Sequence, residues 1–377
     1  METDEEETRD RSNPLTSTER EINIADQFHT RLMQAESSDG LTMATNISTP
    51  LAFRIATHTL KNILLRRPIC IALEVTHNCT ANCRHCDKGE TVEDNPVGAE
   101  VYKRICEELS PAVIQIAGGE PLLRDDLPQI VRALYRPDHL PFLVLVTNGS
   151  LLTRERYLEL REAGIRQFSI SLDFPDERHS DFRRVPGLFE KLDGLMPELL
   201  AFGNGDVVIN TCITRANYPY LLDIIKRVSE WGAKVNFSAY TDLRTQNPEF
   251  NLRHPEDTGR LNAIIDEIFS GNGGYRQAVM TSERVLRRFS KYFENCDIPN
   301  CQTGRKFLIV NPDGTLTPCA MFIEERYNSR RELLEKFAKN NECGRCYISI
   351  RANTEKSPWE LLTDGLRFLR LRPASHF

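Results

Sequence analysis

The sequence predicts a parallel α/β fold, wound as an open or closed barrel and followed by a small second module. Three observations lead there. Six short segments rich in Ile, Val and Phe alternate with amphipathic segments of helical period, and parallel strands need helical crossovers of this kind. The 377 residues are 40% hydrophobic and 27% charged, enough for one large core with an appended unit. Eleven cysteines fall largely into two groups, the second lying beyond a shift in composition near Tyr275.

The elements follow in order. Residues 1–50 are polar and acidic, with little apolar periodicity beyond 22–33, and read as a weakly ordered leader. Over 51–67, Phe53, Ala56, Leu60, Ile63 and Leu64 recur at helical spacing among Arg54, Lys61, Arg66 and Arg67. This predicts a helix packed on the domain that follows, with a membrane-surface or partner-binding helix as the alternative. Pro68 ends it. Strands are expected over 71–76, 112–117, 142–147, 167–172, 207–213 and 235–239. Helices are expected between them over 99–109, 126–135, 154–163, 188–200, 218–231 and 258–270. These units make one domain over 68–275. A second module, 276–350, opens with a helix over 280–293 and a hairpin whose arms, 306–310 and 315–317, flank Asn311-Pro312-Asp313-Gly314. Residues 351–377 are expected to carry a last helix, over 358–370.

Charge and composition exclude several classes. The net charge of -6 and the absence of a long basic block argue against a nucleic-acid partner. No run of about 18 apolar residues occurs, so no transmembrane segment is expected. The start METDEEETRDRS is acidic where a secretory signal is basic and then apolar, so the cytoplasm is the expected location. In that compartment clustered cysteines point to metal or cluster ligands rather than disulfides.

The first group lies directly after the first strand, where Cys79, Cys83 and Cys86 fall within eight residues at the carboxyl end that α/β folds use for chemistry. A closed zinc site wants four ligands, and only His77 or His85 could be drafted as the fourth. Three thiolates suit an iron–sulfur cluster with one open iron better. Cys70, Cys106 and Cys212 fall inside expected strands or a helix and read as small core residues.

The CxxxCxxC loop, together with Ala117-Gly118-Gly119-Glu120-Pro121 after the second strand, Thr147-Asn148-Gly149 after the third and Ser171-Leu172-Asp173 after the fourth, resembles the radical S-adenosylmethionine (radical SAM) superfamily. The resemblance covers roughly residues 69–240 and implies a partial (β/α)6 TIM-like barrel. It implies that Cys79, Cys83 and Cys86 hold a four-iron four-sulfur cluster whose fourth iron binds S-adenosylmethionine. One-electron reduction would then release a 5'-deoxyadenosyl radical that takes hydrogen from an inert carbon. Gly118 and Gly119 would permit close backbone approach, and Glu120 would face the methionine amino group. Asn148, Ser171 and Asp173 would lie near the cofactor's carboxylate and ribose. His85 stands where the family usually has an aromatic residue near the adenine, and its planar ring can stack. The stretch from Ser171 to Arg184 resembles one found in members with a C-terminal auxiliary-cluster domain. There Arg183 is the candidate contact to the cofactor carboxylate, and His179 reads as structural.

The second group, Cys301, Cys319, Cys343 and Cys346, resembles the Twitch form of the SPASM domain, a hairpin and helix holding one auxiliary four-iron four-sulfur cluster. Two clusters in all are therefore expected, with Cys296 left open as a ligand. Four-cysteine zinc is the competing reading of the second set. The resemblance implies an oxidoreductase acting on an unactivated C–H bond of a small molecule or peptide, fed by a low-potential donor such as flavodoxin or ferredoxin. No protein side chain is assigned a catalytic role. Alternatives are maturation of ribosomally made peptides, adenosyl transfer or other modification of a lipid, and a non-enzymatic zinc-bound scaffold. Polar groups lining the barrel would favour a sugar or aminocyclitol, and apolar ones a lipid.

Overall fold

The computed structural model describes residues 49–89, 91–356 and 360. The leader's first 48 residues, its helix over 22–33, and the last helix expected over 358–370 lie outside this set apart from Glu360.

Helix α1 (Thr49–Leu64) is followed by β1 (Cys70–Glu74), α2 (Ala99–Leu109), β2 (Val113–Ala117), α3 (Leu127–Leu134), β3 (Phe142–Thr147), α4 (Arg154–Ala163) and β4 (Gln167–Ser171). Then come α5 (Arg178–Arg183), α6 (Leu188–Leu200), β5 (Val207–Ile213), α7 (Leu221–Trp231), β6 (Lys234–Ala239), α8 (Pro255–Phe269) and the short α9 (Tyr275–Ala278). Helix α10 (Glu283–Asn295), strands β7 (Phe307–Val310) and β8 (Leu316–Thr317), and helices α11 (Arg330–Lys336) and α12 (Ser349–Thr354) complete the order.

All eight strands share one sheet, in the order β6-β5-β4-β3-β2-β1-β7-β8. Every pair is parallel except the β7–β8 hairpin. The first six strands lie in chain order, and same-handed crossovers between such strands place their helices on one face. Residues of that face, Ile71, Leu73, Ile114, Ile116, Ile209 and Val235, pack with the helices in the main core. The alternate residues turn the other way, into the concave side.

Element boundaries shift where caps decide them. Pro219 begins a 3-10 turn over Tyr218–Tyr220, so α7 starts at Leu221 rather than 218. Pro255 starts α8 three residues earlier than its apolar periodicity suggests. Extended Ser282 delays α10 to Glu283. The hairpin expected in the second module joins the barrel sheet: β7 runs parallel to β1, with Cys70 opposite Phe307 and Leu73 opposite Val310. Helix α12 packs against both β6 and β7, bridging the open side of the barrel.

Helix α1 lies where the strands begin. The buried Asn62 side chain donates to the Pro68 and Ser110 carbonyls, each at 2.8 Å. Leu51 packs on Phe142 and Val144 of β3.

Candidate functional site

The loop after β1 carries the first three cysteines and is tied down by side chains that do not include them. Asp94 Oδ2 accepts hydrogen bonds from Thr76 Oγ1, His77 N at 2.7 Å and Asn78 Nδ2 at 3.2 Å. Asn78 Oδ1 accepts from Val92 N, closing the loop on itself. The far side is held by Asp87 and Arg244, 2.6 Å apart.

The diglycine after β2 seats this loop. Gly119 N donates to Thr76 O and Glu120 N to Asn78 O, both at 2.8 Å. A Cβ on Gly118 would overlap the Thr76 carbonyl oxygen, and one on Gly119 the Asn78 carbonyl oxygen. Both obstacles are backbone, which no rotamer change can clear. Gly118 also sits at φ 141, where L side chains are strained. Gly119→Ala is therefore expected to shift the cysteine loop and to lower cofactor cleavage about 100-fold while leaving the circular dichroism spectrum unchanged. Wild-type cleavage by the variant would contradict this account.

Glu120 is fully buried and spent on bracing. It accepts from Leu122 N at 3.1 Å, Thr147 Oγ1 at 2.7 Å and Asn148 N at 2.8 Å. Burial pushes its carboxyl up, and those three donors oppose the rise. Thr147 Oγ1 also accepts from Gly149 N, so this hydroxyl ties the second loop to the third. Asn148 points its amide at Thr80 Oγ1, 3.0 Å, and at Cys79 Sγ, 3.7 Å. The Ser171 backbone pairs with Asn210 in the sheet.

Behind the cysteines stands a buried ion pair. Asp173 Oδ2 receives Arg183 Nε at 2.8 Å and Nη2 at 2.7 Å, and Asp173 N donates to His179 Nδ1 at 3.1 Å. Burial alone would raise the Asp173 carboxyl, but the Arg183 guanidinium and the neighbouring His85 and His179 together outweigh it and hold the group below its usual range. Burial likewise takes the His85 imidazole down to about 4, so the ring is neutral. It stacks on Phe182 with centroids 4.8 Å apart and planes at 10°. Its buried Nδ1 has no hydrogen-bond partner among the described residues.

Two of the three thiols face backbone donors. Ala81 N lies 3.5 Å from Cys79 Sγ, and Lys88 N 3.5 Å from Cys86 Sγ, each as a donor. Burial raises the Cys83 thiol to about 12, with Arg183 opposing most strongly. A thiol of this kind ionises when a metal takes the place of its proton.

The second set also converges. Cys301, Cys319 and Cys343 pack with Cys70, Phe307 and Ile350, and Cys346 is within electrostatic reach of Cys319 and Cys343. Met321 N donates to Cys319 Sγ at 3.4 Å. Cys301 N is held by Cys343 O at 3.1 Å, and the Asn341 amide by Cys301 O at 2.7 Å. Next to the quartet lies Arg351, wholly buried. It donates to Cys346 O at 2.5 Å, Ile298 O at 2.6 Å and Pro299 O at 3.0 Å, and its Nε lies 3.0 Å from the Glu355 carboxylate. At Cys301 burial raises the thiol most, and the pull of Arg351 outweighs the push of Glu355. The quartet therefore faces a net positive neighbour.

The concave wall of β4, β5 and β6 is polar. Asn210 Nδ2 donates to Ser169 Oγ, Asn236 Nδ2 to Asn210 Oδ1 at 3.1 Å, and Thr281 Oγ1 to Asn236 Oδ1 at 2.7 Å. Strand alternation turns Gln115 of β2 and Ser238 of β6 to the same side.

Comparisons with known proteins agree with this geometry. Residues 73–249 match the Radical SAM superfamily. The AdoMet-dependent heme synthase of Methanosarcina barkeri is 35% identical over 73% of this chain and 83% of its own length. The chain belongs to the radical SAM superfamily. A second AdoMet-dependent heme synthase, from Oleidesulfovibrio alaskensis, is 37% identical, with a match spanning 44% of each protein. Among solved structures, SuiB of Streptococcus suis bound to its precursor peptide SuiA aligns with a TM-score of 0.56 and 15% identity. That alignment covers 85% of this chain and 77% of SuiB, a likeness of fold.

Radical SAM membership implies a four-iron four-sulfur cluster and S-adenosylmethionine, and the residues present fit both. Two of the three thiols, Cys79 and Cys86, face N–H donors, a backbone cradle admits no Cβ, and the stacked His85 ring keeps one buried nitrogen without a partner among the described residues. Of the residues marked by sequence, Cys79, Cys83, Cys86, Asn148, Gly118 and Gly119 gather around one loop. Glu120, Asp173 and Arg183 stand behind it, engaged with protein partners. Sequence reading missed Asp94, Thr147 and Arg351. Thr147 carried a signal, its place in the Thr-Asn-Gly turn, whereas Asp94 and Arg351 sit in stretches without a motif.

Proposed function

We propose that this radical SAM enzyme oxidises a polar small molecule by two electrons, with a second iron–sulfur cluster held by Cys301, Cys319, Cys343 and Cys346. The convergence of those four thiols beside the buried Arg351 carries the reading. When bound, the reduced first cluster and S-adenosylmethionine supply a carbon radical able to take a hydrogen atom from an unactivated C–H bond. Cys79, Cys83 and Cys86 hold that cluster, and the Gly118–Gly119 cradle fixes its loop. His85, Asn148 and Ser171 line the cofactor's place, and Arg183, anchored on Asp173, offers charge toward its carboxylate. Substrate is oriented by the amides and hydroxyls of the concave wall, Gln115, Asn210, Asn236 and Ser238. A cluster held by Cys301, Cys319, Cys343 and Cys346 would supply an acceptor for one electron, so that a substrate giving up a hydrogen atom, that electron and a proton to water would be left with a C=O or C=C bond. Those four thiolates would supply all of that cluster's protein ligands, which suits electron transfer.

The polar wall supports a hydrogen-bonding substrate over a lipid, and heme synthases among the relatives support a small molecule over a peptide. The scaffold reading is set aside, since the family and its named relatives are enzymes.

Anaerobic reconstitution tests this: about eight irons per chain and reductant-dependent 5'-deoxyadenosine are expected. About four irons would sink the second cluster while leaving the first. Arg351 gives a finer test. Removing a positive neighbour makes adding an electron harder, so Arg351→Gln is expected to lower the second cluster's midpoint potential by tens of millivolts, and Arg351→Lys by less. An unchanged potential at full iron content would refute this role for Arg351.

A further inference from the structure

We infer that the outer face of α1 docks on an anionic lipid bilayer. Eight large apolar side chains are exposed among the described residues, and four of them, Phe53, Leu60, Leu64 and Leu65, lie on this helix and the turn after it. Phe53 is 70% and Leu64 74% exposed, values that leave most of each side chain in water. Phe53, Leu60 and Leu64 are spaced seven and four residues apart, which stacks them on one stripe. The opposite stripe, Leu51, Thr59 and Asn62, is buried against the domain. The helix is thus anchored on one side and apolar on the other.

Charge selects the occupant. The whole chain carries a net charge of -6, yet residues 41–73 contain no Asp or Glu and include Arg54, Lys61, Arg66 and Arg67. An apolar stripe on a segment that carries cations and no carboxylate of its own matches a surface with negative headgroups above an apolar interior. With 16 residues and a rise of about 24 Å, α1 is too short to span the hydrocarbon core. It lies in the interface.

The geometry permits docking without obstructing the site. Asn62 bonds to Pro68 O and Ser110 O, which precede β1 and β2, and Leu51 meets Phe142 at the start of β3. Helix α1 therefore covers the end where strands begin, while the cysteine loop follows the end of β1. A bilayer against α1 leaves that loop facing water.

Sedimentation with vesicles tests the inference on the full reconstituted chain. Wild type is expected to pellet with vesicles of equal parts phosphatidylcholine and phosphatidylglycerol, to stay in solution with phosphatidylcholine alone, and to be released by salt. Phe53→Glu with Leu64→Glu, and separately Lys61→Glu with Arg66→Glu, are expected to weaken binding by at least about tenfold. All four positions are exposed, and unchanged iron content and circular dichroism would confirm that the fold is kept. Wild type that ignores anionic vesicles, or pairs of variants that bind like wild type, would overturn the inference. So would an acidic protein that binds this face of a chain indifferent to lipid.

Discussion

Cys83→Ala is expected to abolish cleavage of S-adenosylmethionine, whereas Cys343→Ala is expected to leave cleavage measurable and remove the oxidised product. The two sets of thiols stand in different parts of the sheet. Cys83 is on the loop after β1, packed where Arg183 and the other two thiols act on it. Cys343 packs with Cys301, Cys319 and Phe307, at the start of β7. Loss of a first-set ligand removes the centre that binds and reduces the sulfonium. On the proposed reading, loss of a second-set ligand would remove only the acceptor for the substrate's second electron. The check is 5'-deoxyadenosine and product quantified side by side, with iron content measured on each variant. Equal loss of cleavage in both, with the fold intact, would contradict the division of labour.

Arg183→Leu is expected to be the most destabilising single change near the site, by roughly 3–5 kcal/mol at neutral pH. The Asp173 carboxylate is wholly buried and rests on this guanidinium through two short contacts. Its removal leaves a buried charge whose one remaining hydrogen-bond donor among the described residues is Cys212 N, 3.3 Å away. The sign of the pH dependence follows. In wild type the carboxyl is held below its unfolded value, so the pair's contribution is present above about pH 4 and is lost as pH falls through the folded pKa. In the variant the guanidinium no longer opposes burial, the largest influence on the group, and the carboxyl is expected to rise above its unfolded value. Its stability deficit should then shrink on acidification toward pH 4. Urea midpoints across that range measure it, and Asp173→Asn combined with Arg183→Leu should recover part of the loss. A deficit that is small and independent of pH would show the pair to be dispensable.

Much of this architecture was legible in the chain. Strands 142–147 and 207–213 and helices 99–109, 154–163 and 188–200 fall where the periodicity places them, because apolar spacing of two or 3.6 residues is a local property. The cysteine triad and the diglycine were legible for the same reason, since spacing within a loop sets its reach. Boundaries at Leu221, Pro255 and Glu283 were less so, because prolines and an extended cap residue compete with periodicity.

The sequence by itself determined the alternation of strands and helices, the three clustered thiols and the turn that seats them. Each depends on residues within a few positions of one another. Only the tertiary structure decided that β7 extends the barrel sheet beside β1, that Glu120 and Asp173 are engaged with protein partners, and that Arg351 stands against the second thiol set. Those outcomes join groups from distant parts of the chain. Pairing across such separations is selected by packing and by the cost of burying an unmatched charge, and neither leaves a period in the sequence.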